Sequence, residues 1–178
     1  GDPPNYEPDP SENIAAEARR RGVPPEVLVY DLLTAGDGRT ILYIPVFNYV
    51  NGSLAAAGEM LRNPYTLSGL GDGGAHCGII CDASFPTYML IRWAPILTLP
   101  QTIKALTADT ARAVGLNDRG VLAPNYRADL NIIDLASLRL HQPEMVADLP
   151  ENGSRLHQKA DGYVATIAGG KVTRRNGA

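Results

Sequence analysis

Between residues 40 and 71 the sequence alternates two apolar runs with a clearly bounded helix, and that order narrows the available folds more than any other stretch. TILYIPVF, residues 40 to 47, is rich in β-branched and aromatic side chains and reads as a buried strand. Pro45 weakens its end, because proline cannot donate to a ladder. Ser53 can cap a helix through LAAAGEMLR, which Asn63 and Pro64 stop. YTLSGLG, residues 65 to 71, reads as a second strand. Strand, helix and strand in succession predict a parallel pair joined by a right-handed crossover, and therefore an α/β architecture.

The flanking segments fit that class. Asp9 can cap a first helix, with Pro10 at its first position, Glu12 reaching back as in a capping box, and Gly22 closing it. Pro24 and Pro25 open a second helix from Val27 to about Leu33, which the AGDG turn at residues 35 to 38 ends. FPTYMLIRW, residues 85 to 93, can be helical. LPQTIKALTADTARAVG then sets Ile103, Leu106, Ala113 and Val114 at helical spacing, with Thr110 completing the stripe and Gly115 ending the helix. From Arg119 the character changes to β: DLNIIDL at residues 129 to 135 and GYVATIAGGKVTRRNG at 162 to 177, with Gly169 and Gly170 as a two-residue hairpin signal. A longer polar connection with Pro143 and Pro150 lies between them.

Composition excludes several classes. Sixteen basic residues against nineteen acidic give a net charge of -3 with no dense Lys/Arg run, which argues against nucleic acid as a partner. The apolar stretches break well before the ~20 residues a bilayer requires, so no membrane partner is expected. GDPPNYEPDP is acidic and proline-rich rather than signal-like, and the expectation is a soluble, cytoplasmic protein. The two cysteines, Cys77 and Cys81, sit close together in HCGIICD and suggest reduced thiols rather than a disulfide framework. On that view the Asn-Gly-Ser sequons at Asn51 and Asn152 carry no weight.

SGLGDGGAH, residues 68 to 76, places Asp72 among glycines at the carboxyl end of the second run. Taken alone, an acid in such a cluster reads as the polar tip of a turn. The other reading follows from α/β folds, where ligands gather at the carboxyl ends of strands and glycine removes side chains that would crowd a substrate. The spacing is not the G-x-G-x-x-G of a phosphate cradle, and an acid at its centre would repel phosphate. His76, Cys77, Cys81 and Asp82 include metal-ligand types, but Cys-x-x-x-Cys without a second ligand pair is not the pattern of a closed zinc site, and buried, inert thiols are the favoured reading.

GLNDRGVLAPNYRADLNIIDL, residues 115 to 135, resembles the junction of the metal-dependent amidohydrolase superfamily where the last barrel helix passes into a small β-sandwich. It is most similar to the N-acyl-D-amino-acid deacylase (D-aminoacylase) branch. The matching positions are Gly115, Leu116, Asp118, Arg119, Gly120, Leu122, Pro124, Tyr126, Ala128, Asp129, Leu130 and Asp134. Asn125 stands where the family has Gly, an exchange compatible with a left-handed backbone. The helix like NIAAEARRRGV, LVYDLL, GLGDGGAH, the Phe85-Pro86 pair and the final hairpin extend the likeness over most of the chain.

The resemblance implies the C-terminal part of a (β/α)8 TIM barrel in residues 1–118 and strands of a small β-sandwich in 119–178. It implies that Asp72 is the acid after the last barrel strand, a carboxylate that moves a proton from a metal-activated water to the leaving amine and in some members also touches the metal. His76, with Gly73 and Gly74, is implied to face substrate, His76 having a structural role as the alternative. One or two zinc ions are implied for the complete protein, none for this chain alone, and the implied partner is a small-molecule amide, with a homo-oligomer left open. Two departures accompany the match. The chain has only His76, His141 and His157 and no His-x-His pair, and a complete barrel takes about 250 residues, so a C-terminal fragment is expected. Residues 77 to 84 contain no basic side chain where deacylases hold a substrate carboxylate, so a D-amino acid is not implied as substrate. Hydrolysis of a non-peptide C–N bond is the leading reading. A cyclic-amide hydrolase of the same superfamily, or a truncated homologue serving as a binding or oligomerisation module, are the alternatives.

Overall fold

The computed structural model describes residues 1–69, 71 and 76–176. Its α-helices precede its strands, in a mixed α/β chain with small antiparallel sheets. A 3₁₀ turn at Pro10–Glu12 leads into α1 (Ile14–Arg21), followed by α2 (Pro25–Thr34) and α3 (Ala55–Arg62). The start of the first helix differs from the expectation: Asp9 caps only the 3₁₀ turn, through Ser11 N at 2.8 Å, while Asn13 caps α1 through Ala16 N at 2.8 Å. Two short polar side chains four residues apart each satisfy an amide that the chain would otherwise leave unpaired. Gly22 then closes α1 in the left-handed conformation, as its position suggests. Ala18 and Leu28, both fully buried, hold α1 against α2.

Residues 85–97 form a continuous rod: α4 (Phe85–Tyr88), a π-helical stretch at Met89–Trp93, and α5 (Ala94–Leu97). The widened middle has a physical cause in Pro95, which lacks the amide that would reach back to Ile91 and whose ring crowds that carbonyl. One side of the rod makes the core, where Met89 and Trp93 meet Leu54, with Tyr49, Leu61, Phe85, Leu97 and Leu106 packed around them. A Cβ on Gly58 of α3 would stand 2.9 Å from the Trp93 ring, so α3 lies flush on the indole.

The long helix expected up to Gly115 is split at Thr107 into α6 (Leu99–Leu106) and α7 (Ala108–Ala113). Thr107 satisfies its hydroxyl on the Ile103 carbonyl at 2.7 Å, and Thr110 donates to the Thr107 carbonyl at 3.0 Å, a local competition that suits a helix break. The buried face is Thr102, Ala108 and Ala111, whereas Ile103 and Val114 of the expected stripe are exposed.

The β part contains β1 (Leu130–Ile133), β2 (Arg139–Leu140), β3 (Glu144–Val146), β4 (Arg155–His157), β5 (Ala160–Asp161), β6 (Tyr163–Ala168) and β7 (Lys171–Arg175). The sheets run β1-β6-β7, β2-β5 and β3-β4, all antiparallel. Gly169 and Gly170, with φ of 55° and 79°, make the expected two-residue turn. The polar connection expected between the β-rich segments itself carries β2 to β5, strands too short to show an alternating pattern.

The expected parallel pair is not found. Residues 40–47 and 65–69 have no regular secondary structure, and no parallel ladder occurs among the described residues. β-Propensity reports suitability for a pleated surface, and a strand forms only when a neighbour supplies the other half of the ladder. Among the described residues, no helix is long and apolar enough to cross a membrane.

The junction motif is a brace. Arg119 pairs with Asp118 at 2.9 Å and Asp129 at 3.5 Å, Arg127 pairs with Asp129 at 2.9 Å, and Asp129 accepts the Gly169 amide at 2.7 Å. Asn125 adopts φ 66°, the conformation glycine would take there. Gly120 has φ 82°, and a Cβ on it would lie 2.9 Å from the Thr107 carbonyl oxygen and 3.0 Å from Ala111 Cβ. Gly120→Ala is therefore expected to destabilise the fold by about 1–3 kcal/mol, read as a lower urea midpoint. Gly78→Ala, where a Cβ meets nothing within 4 Å, serves as the control and should stay within about 0.5 kcal/mol of the parent.

Candidate functional site

Asp72, Gly73 and Gly74, three of the four residues expected at a site, lie outside the described residues. Their described flanks are anchored to three different elements. Ser68 Oγ donates to the Ala105 carbonyl of α6 at 2.9 Å. A Cβ on Gly71 would come within 2.8 Å of both the Asp82 carbonyl oxygen and the Phe85 ring, so the glycine allows the backbone to press against the start of the 85–97 rod. On the far side, His76 is exposed with φ 56° and opens a tight turn in which Ile79 and Ile80 amides donate to its carbonyl at 2.8 and 2.9 Å. The next carbonyl, of Cys77, accepts the Leu156 amide of β4 at 2.7 Å.

A second tie joins the following 3₁₀ turn, Asp82–Ser84, to the β part. Ser84 Oγ donates to Gln158 Oε1 at 2.5 Å, while Gln158 Nε2 donates to the Tyr6 hydroxyl and to the His141 carbonyl, each at 2.7 Å. Cys77 and Cys81 are free and half-buried. Burial and the adjacent Asp82 push the Cys81 thiol up, with Arg155 opposing, so this sulfur is a protonated thiol at neutral pH rather than a nucleophile. Arg155 itself is engaged with Asp148 at 2.7 and 2.8 Å.

A cluster of tyrosines escaped the sequence reading. Tyr6 stands edge-on to Tyr43 and Tyr88, with ring centroids 5.3 and 5.4 Å apart, and the Tyr43 hydroxyl donates to that of Tyr49. Beside them, Glu7 accepts the Leu54 amide at 2.9 Å and Arg92 Nε at 2.9 Å, which holds its carboxyl below the ordinary range. The open cleft there, about 390 Å³, is lined by Tyr6, Glu7, Tyr88, Ile91 and Arg92. Burial, with Tyr49 and Glu7 nearby, pushes the Tyr88 hydroxyl up to about 12, and burial likewise raises Tyr43. These phenols stay neutral at neutral pH, and the Glu7–Arg92 ion pair lining the cleft is already satisfied within the protein. No periodicity links positions 6, 43, 49 and 88, and the sequence carries no signal that would have assembled them.

Among the described residues, no three His, Cys, Asp or Glu side chains come together in a group that could hold a metal. His141 and His157 both belong to the β part, where His157 stands opposite Glu144 in the β3-β4 register.

A family model described as the amidohydrolase family matches residues 7–174. The chain belongs to the amidohydrolase family. No curated protein and no solved structure matches it. The match spans both the helical part and the β part of this amidohydrolase, including the glycine-rich stretch and the brace at Asp118 to Asp129.

One histidine of this amidohydrolase has a structural task that can be read out directly. His141 Nε2 meets Asp161 Oδ2 at 2.7 Å and its Nδ1 meets Asp2 Oδ2 at 3.4 Å, while Asp2 also accepts from Arg139 at 2.7 Å and from the Gln142 amide at 3.2 Å. Only the imidazolium can donate to both carboxylates. The bond to Asp161, and then that to Asp2, raise the His141 pKa against desolvation. Desolvation pulls Asp2 upward, but the His141 and Gln142 bonds and the Arg139 charge together leave it lowered. A raised histidine contributes fully below its ordinary value of about 6.5 and loses that contribution as pH climbs through the higher folded value. A lowered carboxyl contributes above about 3.9 and loses it as pH falls through the lower folded value. NMR titration of His141 should give a midpoint above about 6.5, and Asp161→Asn should lower it; an unchanged midpoint in that variant would show that Asp161 has no hold on the ring.

Proposed function

We propose that this chain is the C-terminal portion of a metal-dependent amidohydrolase that hydrolyses a non-peptide C–N bond, with Asp72 as the proton shuttle. The observation that carries the reading is the amidohydrolase match across residues 7–174, within which SGLGDGGAH sits. Residues 1–118 would be the last units of its (β/α)8 barrel and 119–178 a part of its β-sandwich. One or two zinc ions, when bound, would polarise the scissile carbonyl and activate water; the described residues do not supply the ligands, so those would come from other parts of the complete protein.

The work left to this chain is proton transfer and positioning. The Asp72 carboxylate would accept a proton from the attacking water and return it to the departing amine nitrogen, so that the amine leaves neutral. Gly73 and Gly74 would leave room for the substrate, and His76, exposed at the head of its turn, would face it. The absence of any basic side chain in residues 77 to 84, with Arg155 committed to Asp148, favours a substrate without a free carboxylate there, such as a cyclic amide.

In the complete protein, Asp72→Asn is expected to lower kcat on the order of 10²–10⁴-fold, with metal content by elemental analysis unchanged. Full turnover by that variant would refute the role of Asp72. A substrate panel of N-acyl-D-amino acids against cyclic amides should show turnover confined to the second group.

A further inference from the structure

Residues 77 to 84, between the glycine-rich stretch and the 85–97 rod, are held at both ends by neighbouring residues of the β part. The Leu156 amide donates to the Cys77 carbonyl at 2.7 Å, and Gln158 Oε1 accepts the Ser84 hydroxyl at 2.5 Å. Gln158 lies in the short link between β4 and β5, is half-buried, and has both hydrogens of its amide engaged, one on the Tyr6 hydroxyl and one on the His141 carbonyl, each at 2.7 Å. A carbonyl can only accept, so the nitrogen faces His141 and the oxygen is left for Ser84. The Ser84 hydroxyl is also 3.4 Å from the Cys81 carbonyl, and the much shorter contact with Gln158 is the one that fixes it. One side chain thereby joins the N-terminal arm, the β part and the 3₁₀ turn Asp82–Ser84.

The same turn is what the glycine-rich stretch rests on. A Cβ on Gly71 would stand 2.8 Å from the Asp82 carbonyl oxygen and 2.8 Å from the Phe85 ring, the two residues that flank Ala83 and Ser84. The Asp82 carbonyl in turn accepts the Phe85 amide, which closes the turn. Gly71 directly precedes Asp72 in the chain, so a displacement of this platform reaches the backbone that bears Asp72 within one residue. A half-buried amide with its hydrogens engaged rigidifies what it joins. Proton transfer requires hydrogen-bond reach, and a misplacement of about 1 Å caused by a residue far from the chemistry can cost on the order of 100-fold in rate.

We propose that Gln158 is a positioning residue for the glycine-rich stretch: acting through Ser84, it fixes the platform of Asp82 and Phe85 that supports Gly71, and so sets where the Asp72 carboxylate stands. The inference rests on the reading of Asp72 as the proton shuttle, and it adds the residue, distant in sequence, that holds the shuttle in place. Gln158 touches neither substrate nor reacting atoms; its effect passes through the turn. Loss of either side chain of the Ser84–Gln158 bond therefore slows turnover and leaves metal binding alone.

The test uses the complete protein, with Ser84→Ala and Gln158→Leu assayed well below their unfolding midpoints on hydantoin as a cyclic-amide probe and N-acetyl-D-methionine as an acyl-amino-acid probe. On whichever probe the parent turns over, each variant should lower kcat on the order of 10- to 100-fold, with KM and metal content little changed. Ser84→Thr, which returns the hydroxyl, should recover most of the rate, and the double variant should be no slower than the slower single one, because the two side chains act as a unit. The Phe85 amide, bonded to the Asp82 carbonyl, should exchange faster with solvent in both single variants, a readout that needs no substrate. Gly120→Ala is the control: it lowers the unfolding midpoint from the junction and should leave kcat and Phe85 exchange at parent values. Parent-like kcat in folded Ser84→Ala and Gln158→Leu, an equal loss in Gly120→Ala, or unchanged exchange at Phe85 would each overturn the proposal; if neither probe is turned over, the exchange result decides it. Full turnover by Asp72→Asn beside a slow Ser84→Ala would refute the shuttle and keep the positioning of the stretch, whereas an inactive Asp72→Asn beside a fully active Ser84→Ala would refute the positioning alone.

Discussion

The indole of Trp93 lies against the bare Cα of Gly58, and the helical part takes its arrangement from that contact. Because no side chain separates them, α3 seats directly on the rod that runs from Phe85 to Leu97, and Leu54 and Met89 close around the ring. The guanidinium of Arg92 sits 4.8 Å from the same indole and at the same time pairs with Glu7, so the N-terminal arm is drawn onto the rod by charge as well as by packing. The other end of the rod receives Gly71 against Phe85, and Thr87 bonds the Tyr163 hydroxyl of β6 at 2.8 Å. One helical rod thereby sets the positions of the arm, of the approach to the glycine-rich stretch and of the β part.

Local signals were legible wherever a single residue governs the backbone. Gly22 closes α1, Pro25 opens α2, Asn63 ends α3 and the Gly169-Gly170 pair turns β6 into β7, each because the conformation required there suits that residue type. What depended on a partner was not legible. TILYIPVF has the composition of a strand but no ladder, and of the stripe Ile103 to Val114 only Leu106 packs on the core while Ile103 and Val114 are exposed, because β-propensity and periodicity say what a surface can be packed against and not whether anything is there. The short strands β2 to β5 are too brief to show a period at all.

The candidate site divides in the same way. The junction motif carried the family, and its residues prove to have mechanical tasks: Gly120 permits close passage by α7, and Arg119, Arg127 and Asp129 fasten the turn at Gly169. Asp72, by contrast, was singled out by likeness and by its glycine neighbours, and the described structure bears on it only through the anchors on either side. The tyrosine cluster and the Glu7–Arg92 pair, which assemble from distant positions, had no sequence signature to find.

The ties from Leu156 to Cys77 and from Gln158 to Ser84 mean that the β part is not an appendage to the helical part. It clasps the very turn that follows the glycine-rich stretch, so the two have to match in shape and in donor and acceptor pattern. Exchanging C-terminal halves between related amidohydrolases would therefore transplant half of a joint, and a chimera would work only if residues 76–84 travelled with the strands that hold them.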